Sequence, residues 1–163
     1  MLPQLVLSDL QLRKVSRIVL GAAVYVGALV AADLPWTPAR VALAVVAPVA
    51  GTVFFTALFL VGASLTFWWI EAAELPNSFT YGGRDFTTYP VTVYGGWFRG
   101  LFAYGLGFAF VAYYPALALL GRADPLGLPA WVGWLSPLVA PVAAGAAAVV
   151  WRFGIRHYRS TGS

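Results

Sequence analysis

The 163 residues are 61% hydrophobic and 10% charged, which is too apolar for the surface of a water-soluble domain. With no cysteine in the chain, disulfides, thiolate catalysis and zinc–thiolate sites are excluded. The net charge of +4 does not indicate nucleic acid, because the basic residues flank apolar segments instead of forming a stripe.

Residues 1–14 are a wet lead-in. Leu5, Leu7, Leu10, Leu12 and Val15 recur at roughly helical spacing, while Asp9, Arg13, Lys14 and Arg17 supply charge. Ser8 suits the cap of a short helix starting at Asp9. The segment reads either as the approach to a membrane helix or as a helix docking on a cytoplasmic partner. Gln4, Asp9 and Gln11 interrupt its apolar run, and no small-residue cleavage site follows, so it is not a cleavable signal peptide.

A first span is predicted at about residues 15–33, closed by Asp33 and Pro35, with Arg17 snorkelling to the headgroups. A second runs without charge over about residues 41–70. As a helix it would be about 45 Å long against a hydrocarbon core of about 30 Å, so it must tilt, bend or project. Pro48 and Gly51 are the expected bend. Thr52 and Thr56, one turn apart, satisfy backbone carbonyls or face another helix, and are candidates for a pathway or helix interface.

Residues 71–97 form the internal wet connector, with Glu71, Glu74, Arg84 and Asp85. Pro76, Pro90, Gly82-Gly83 and Gly95-Gly96 are expected to interrupt any continuous helix there. Glu71 and Glu74 would share a helix face, but no nucleophile, metal partner or histidine lies close by. A solvated helix end or a contact with a basic partner is therefore favoured over an acid/base pair. Gly82-Gly83-Arg84 lacks the spacing of a phosphate loop, so any ATP is bound by another subunit. The aromatic run from Phe86 to Phe98 suggests a helix lying in the interface, with an irregular loop as the alternative.

A third span is predicted at about residues 98–120, with Tyr113-Tyr114-Pro115 marking where it stops, kinks or re-enters, and residues 121–129 form a turn. A fourth covers about residues 130–152, with tryptophans at both ends and kinks at Pro137 and Pro141. Ala140, Ala144 and Ala148, with Gly145 beside them, offer a small-residue face for close helix packing. The tail, residues 153–163, is polar and holds the single histidine, His157, with no clustered metal ligands.

No charge lies at the centre of any span, which argues against a proton relay or an ion-coupling site. With four spans both ends share one side. Arg13, Lys14, Arg17, Arg84, Arg99, Arg152, Arg156 and Arg159 fall there, against Arg40 and Arg122 opposite. That asymmetry places both termini and the connector in the cytoplasm.

Three stretches carry a resemblance: FWWIEAAELPNSFTYGGRDFTTYPVTVYGGWFRG, AYYPALALLGRADPLGLP and WRFGIRHYRSTGS. Together they resemble the permease subunit of bacterial ABC-2 type transporters, in the six-helix branch encoded with a sister permease and an ATP-binding cassette protein. The resemblance implies an all-α polytopic membrane fold in which the four predicted spans are the last four of six. The chain is then expected to be truncated at its N-terminus. It also implies a subunit of an exporter in the bacterial cytoplasmic membrane, with no cofactor of its own. Its partners would be a separate ATPase subunit and a second permease, related or identical. In the family the segment that LVLSDLQLRKVSR, residues 5–17, resembles helps couple permease to ATPase, which makes Asp9, Arg13 and Lys14 candidate contacts. The few charges along the pathway suit an amphipathic, drug-like or lipid-like substrate. The alternatives are a lipid-modifying membrane enzyme using Glu71, Glu74, Arg84 and Asp85, and a scaffold that does not transport.

Overall fold

The computed structural model describes the backbone of residues 2–68 and 75–157; its regular structure is helical, with no strand among those residues. Two compact units result, Met1–Trp36 and Thr37–Ser163.

The first unit is one helix, α1 (Leu2–Ala31). It passes through Ser8 without a break, so the short helix expected to start at Asp9 is not a separate element. Once Val15–Ala31 is helical, extending it backward needs no new nucleation. The helix ends on Asp33, whose φ of 46° lies in the left-handed region where an aspartate is tolerated, and Pro35 prevents continuation.

The second unit opens with α2 (Pro38–Ser64). Thr37 caps it, its hydroxyl accepting from the Arg40 N–H at 3.3 Å, and Pro38 takes the first-turn position where no N–H is required. A 3₁₀ turn, Leu65–Phe67, extends it. Ser64 and Thr66 bond back to Leu60 and Ala63 carbonyls at 2.6 and 2.7 Å, which satisfies their hydroxyls in an apolar setting.

Helix α3 (Leu75–Thr88) runs through Pro76 and the Gly82-Gly83 pair, contrary to the expected interruption. Pro76 falls in the first turn, where the helix has no hydrogen bond to lose. Gly83 is where the Phe108 ring lies against the helix, so a side chain there would collide with it. Arg84 and Asp85 are exposed beside it, while Phe86 turns inward. The aromatic run that follows is not one interfacial helix. It is a 3₁₀ turn at Val91–Val93 and then α4 (Gly96–Arg99). Three of its rings pack inward, Phe86 stacking on Tyr94 at 4.2 Å and Phe98 on Phe102 at 4.4 Å, while Tyr89 and Trp97 stay exposed. Burial, with Tyr89 and Asp85 nearby, raises the Tyr94 phenol above its ordinary value. It stays neutral and donates to the Phe86 carbonyl at 3.4 Å.

The expected third span is broken. Helix α4 continues as a π-helical segment, Gly100–Gly105, closed by Leu106 N–H to the Leu101 carbonyl at 2.8 Å. Gly107 then takes φ 84°, and the chain resumes as Phe108–Phe110 and α5 (Tyr113–Leu120), inclined by 58° to the first half. The break lies at Gly107, not at Tyr113-Tyr114-Pro115. Pro115 sits in the first turn of α5, where it costs no hydrogen bond. Gly107→Ala is expected to destabilise the fold by about 2 kcal/mol or more, combining the left-handed cost with a methyl 2.8 Å from Val139 Cγ2. The melting midpoint in detergent checks this, and a variant melting with the parent would contradict it.

Residues 121–130 form a turn leading to α6 (Trp131–Leu135), a 3₁₀ turn at Ser136–Leu138 containing Pro137, and α7 (Val139–His157). Helix α7 runs in the same direction as α2, parallel to it. Its Val139 end lies by Gly107 and Phe54, and its far end places Gly154 against Phe67, with the Phe67 and Trp151 rings 5.3 Å apart. Pro38–Phe67 and Trp131–Arg156 are each long and apolar enough to cross a membrane, and the bent pair Gly96–Gly105 and Phe108–Leu120 would be a third if taken as one span. The apolar part of α1, Val15–Ala31, is shorter. At the junction of α2, α3 and the break lies the core: Phe54, Phe86, Val91, Ala103, Phe108, Ala109 and Tyr114.

Candidate functional site

By stopping at Gly105–Gly107, the broken span leaves room between α2 and α7. The resulting cavity, about 330 Å³, is walled by Phe54, Ala57, Leu58 and Val61 of α2, by Tyr104–Gly107 and Phe110 of the break, and by Val139, Val142, Ala143 and Ala146 of α7. Its size falls at the lower end of the range for small-molecule sites. Small side chains on α7 hold the wall back, and Phe54 and Phe110 supply aromatic faces. Among the lining residues Tyr104 is the one whose side chain carries a polar group, its hydroxyl.

That hydroxyl belongs to a network. Tyr114 places its hydroxyl 3.3 Å from Tyr104 Oη and 3.4 Å from Asp124 Oδ2, so its one proton goes to either acceptor. Tyr113 donates to Asp124 Oδ1 at 3.0 Å, and the backbone N–H groups of Leu126 and Leu128 reach the same carboxylate at 3.1 and 3.3 Å. Asp124 therefore folds the 121–130 turn around itself and ties it to the first turn of α5. The chain Tyr104–Tyr114–Asp124 links the cavity wall to that turn.

The residues singled out in the sequence fall elsewhere or outside the described region. Asp9, Arg13 and Lys14 lie on the backbone of α1, their side chains outside the described residues. Glu71 and Glu74 lie outside the described residues altogether. Arg84 and Asp85 are exposed on α3 and do not line the cavity. Thr52 and Thr56 donate to the Pro48 and Thr52 carbonyls at 3.0 and 2.8 Å and do not line it. Of the small residues of α7, Ala140 is buried and Ala144 half-buried, whereas Gly145 and Ala148 are exposed. The buried row is Ala140 and Ala147, with Ala143 and Ala146 on the cavity. A strict four-residue row drifts about 40° per step around a helix of about 3.6 residues per turn, and here the drift carries the row from buried Ala140 through half-buried Ala144 to exposed Ala148. Sequence reasoning missed Tyr104 and Asp124 as functional groups. The signal available for Asp124 was its place two residues before a main-chain N–H in a Pro/Gly turn, the pattern of an Asx turn.

Among the described residues no group of three His, Cys, Asp or Glu side chains could hold a metal ion. What the geometry offers is an apolar recess between two helices long enough to cross a membrane. Helices of that length and apolarity define a helical integral membrane protein. The sequence matches the ABC-2 family transporter proteins over residues 1–162, and the chain belongs to that family. It is a membrane transport subunit of the permease type. No curated protein and no solved structure matches it.

Proposed function

We propose that this chain is the membrane-spanning permease subunit of an ATP-driven exporter in a bacterial cytoplasmic membrane. It passes four times, at about residues 15–33, 41–70, 98–120 and 130–152, with both termini in the cytoplasm. ATP is hydrolysed by a separate cassette subunit, and a second permease, related or identical, completes the pathway. The observation that carries this reading is the family match along residues 1–162. The cavity supports it by providing an apolar space of about 330 Å³ lined in part by Tyr104, suited to an amphipathic, drug-like or lipid-like substrate.

The arrangement of basic residues supports the orientation. Arg152 and Arg156 sit at the end of α7 that packs on Phe67, the same end from which the 71–97 connector leaves. Arg40 lies at the opposite end of α2, against Gly121. The cytoplasmic assignment of the first end follows from the excess of Lys and Arg. It puts Asp9, Arg13 and Lys14 on the side where the ATPase docks. The helix-interface role of Thr52, Thr56, Ala140, Ala144, Gly145 and Ala148 is then toward the partner permease, for those that α2 and α7 leave exposed.

Purification from the native membrane in mild detergent, with intact masses of all co-purifying chains, tests this reading. A cassette ATPase and a second permease are expected to accompany the chain. A chain that arrives alone, from a strain whose sensitivity to amphipathic compounds does not change when the gene is deleted, would refute the export reading.

A further inference from the structure

The foot of α7 carries a groove of about 210 Å³ lined by Val149, Arg152, Phe153 and Arg156. These positions are i, i+3, i+4 and i+7, which is one face of a helix. Arg152 and Arg156 stand one turn apart, where Cβ atoms are about 5–6 Å from each other, and both side chains line the one groove. Gly154, midway between them, meets the Phe67 ring that ends α2. Each arginine is two residues from Gly154, so both lie about 160° round the helix from that contact. All four lining residues are exposed.

Nothing in the described fold neutralises this pair. Neither guanidinium makes an ion pair among the described residues. No acidic side chain lines the groove, and none follows Asp124 in the chain. Glu71 and Glu74 continue in sequence from the Phe67 end of α2, which packs on the opposite face of α7. The C-terminal end of a helix carries only about half a unit of negative charge, against two full positive charges here.

The pair also stands at a defined place on an apolar helix. Residues 125–151 are uncharged, so Arg152 is the first charge at this end of the Trp131–Arg156 span. Trp151 beside it is the kind of ring that sits at headgroup level. Val149 and Phe153 continue the groove wall as apolar surface exposed by 52% and 53%. A soluble acidic partner would satisfy the arginines and leave that wall bare. A phosphate on the arginines with a hydrocarbon chain against the wall is the chemistry of a phospholipid, and an added ammonium in its headgroup would be repelled by the pair.

We propose that the foot of α7 binds an anionic phospholipid, with Arg152 and Arg156 on its phosphate and Val149 and Phe153 against the start of an acyl chain. The chemistry requires only that α7 cross the bilayer; the assignment to the cytoplasmic leaflet rests on the orientation proposed above. The small-residue side at Ala148 lies about 100° round the helix from Val149 and stays open to a partner helix.

The full-length protein in nanodiscs of mixed phosphatidylglycerol and phosphatidylcholine, released into native mass spectrometry, tests this site. The wild type is expected to retain phosphatidylglycerol over phosphatidylcholine. Arg152→Gln and Arg156→Gln are each expected to lower that retention about tenfold, the worth of one charge-assisted hydrogen bond, and the double variant to abolish the preference. Lysine at both positions should lose less, because it keeps the charge and gives up the planar fork. Arg122→Gln, in the turn after α5, should change nothing. Both arginines are exposed, so melting midpoints near the parent's are expected, and the lysine pair keeps the test open if a glutamine variant fails to fold. Equal retention of the two lipids by the wild type, or undiminished preference in the double variant, overturns the proposal. So does a double variant that keeps its lipid and loses a co-purifying protein, which would make the pair a protein contact.

Discussion

Gly133→Ala is expected to lower stability more than any other single added methyl group in α6 or α7. The new Cβ would stand 2.7 Å from Ala118 Cβ and 2.7 Å from the Tyr114 carbonyl oxygen. Neither obstacle can rotate away, since one is the first atom of a side chain and the other is backbone. Helix α6 would have to lift off α5. Overpacking of this kind costs about 1–3 kcal/mol in well-packed cores, and a backbone obstacle puts this case at the upper end. The melting midpoint in detergent checks this. Gly145→Ala is the internal control. Nothing lies within 4 Å of its added Cβ, so it should melt with the parent or slightly above, as a glycine-to-alanine change in a helix does. Equal melting of the two variants would mean that α5 and α6 do not meet this closely.

Asp124→Ala should be the second large effect. The substitution removes the acceptor of two tyrosine hydroxyls and two backbone N–H groups at once. A part-buried donor left without an acceptor costs about 1–3 kcal/mol, and water can replace some of the four, so a loss of about 3 kcal/mol is expected. Asp124→Asn keeps one acceptor oxygen and the Asx geometry and should lose about 1 kcal/mol. Melting midpoints, with protease cleavage in the 121–130 turn as a local readout, separate the two. If alanine and asparagine behave alike, the carboxylate acts through its charge and not as the hub of the turn.

Much of the architecture is legible in the residues. The long uncharged run of α2, the tryptophan-bounded run ending in α7 and the Gly/Pro turn after Leu120 each follow from local chemistry. Apolarity, caps and turn residues act within a few positions along the chain, so reading the chain locally finds them. The family resemblance is carried by the same kind of local text, from Phe67 to Gly100, from Ala112 to Pro129 and from Trp151 to Ser163.

What required the tertiary structure is every feature in which one segment answers another. Gly82-Gly83 looks like a helix breaker, yet α3 continues because the Phe108 ring fills the space a side chain would occupy. Gly107 sits in an apolar run indistinguishable from a straight span, and its left-handed turn is set by packing against Phe54 and Val139. The alanines of α7 show that small residues are plentiful, but the crossing with α2 selects Ala140 and Ala147 over Ala144 and Ala148. Tyr104, Tyr114 and Asp124 have no mutual spacing that announces a network. Composition and periodicity fix the solvent each segment prefers and its local shape. Which partner it meets depends on steric fit between distant surfaces, and that information is held jointly by both segments and by neither alone.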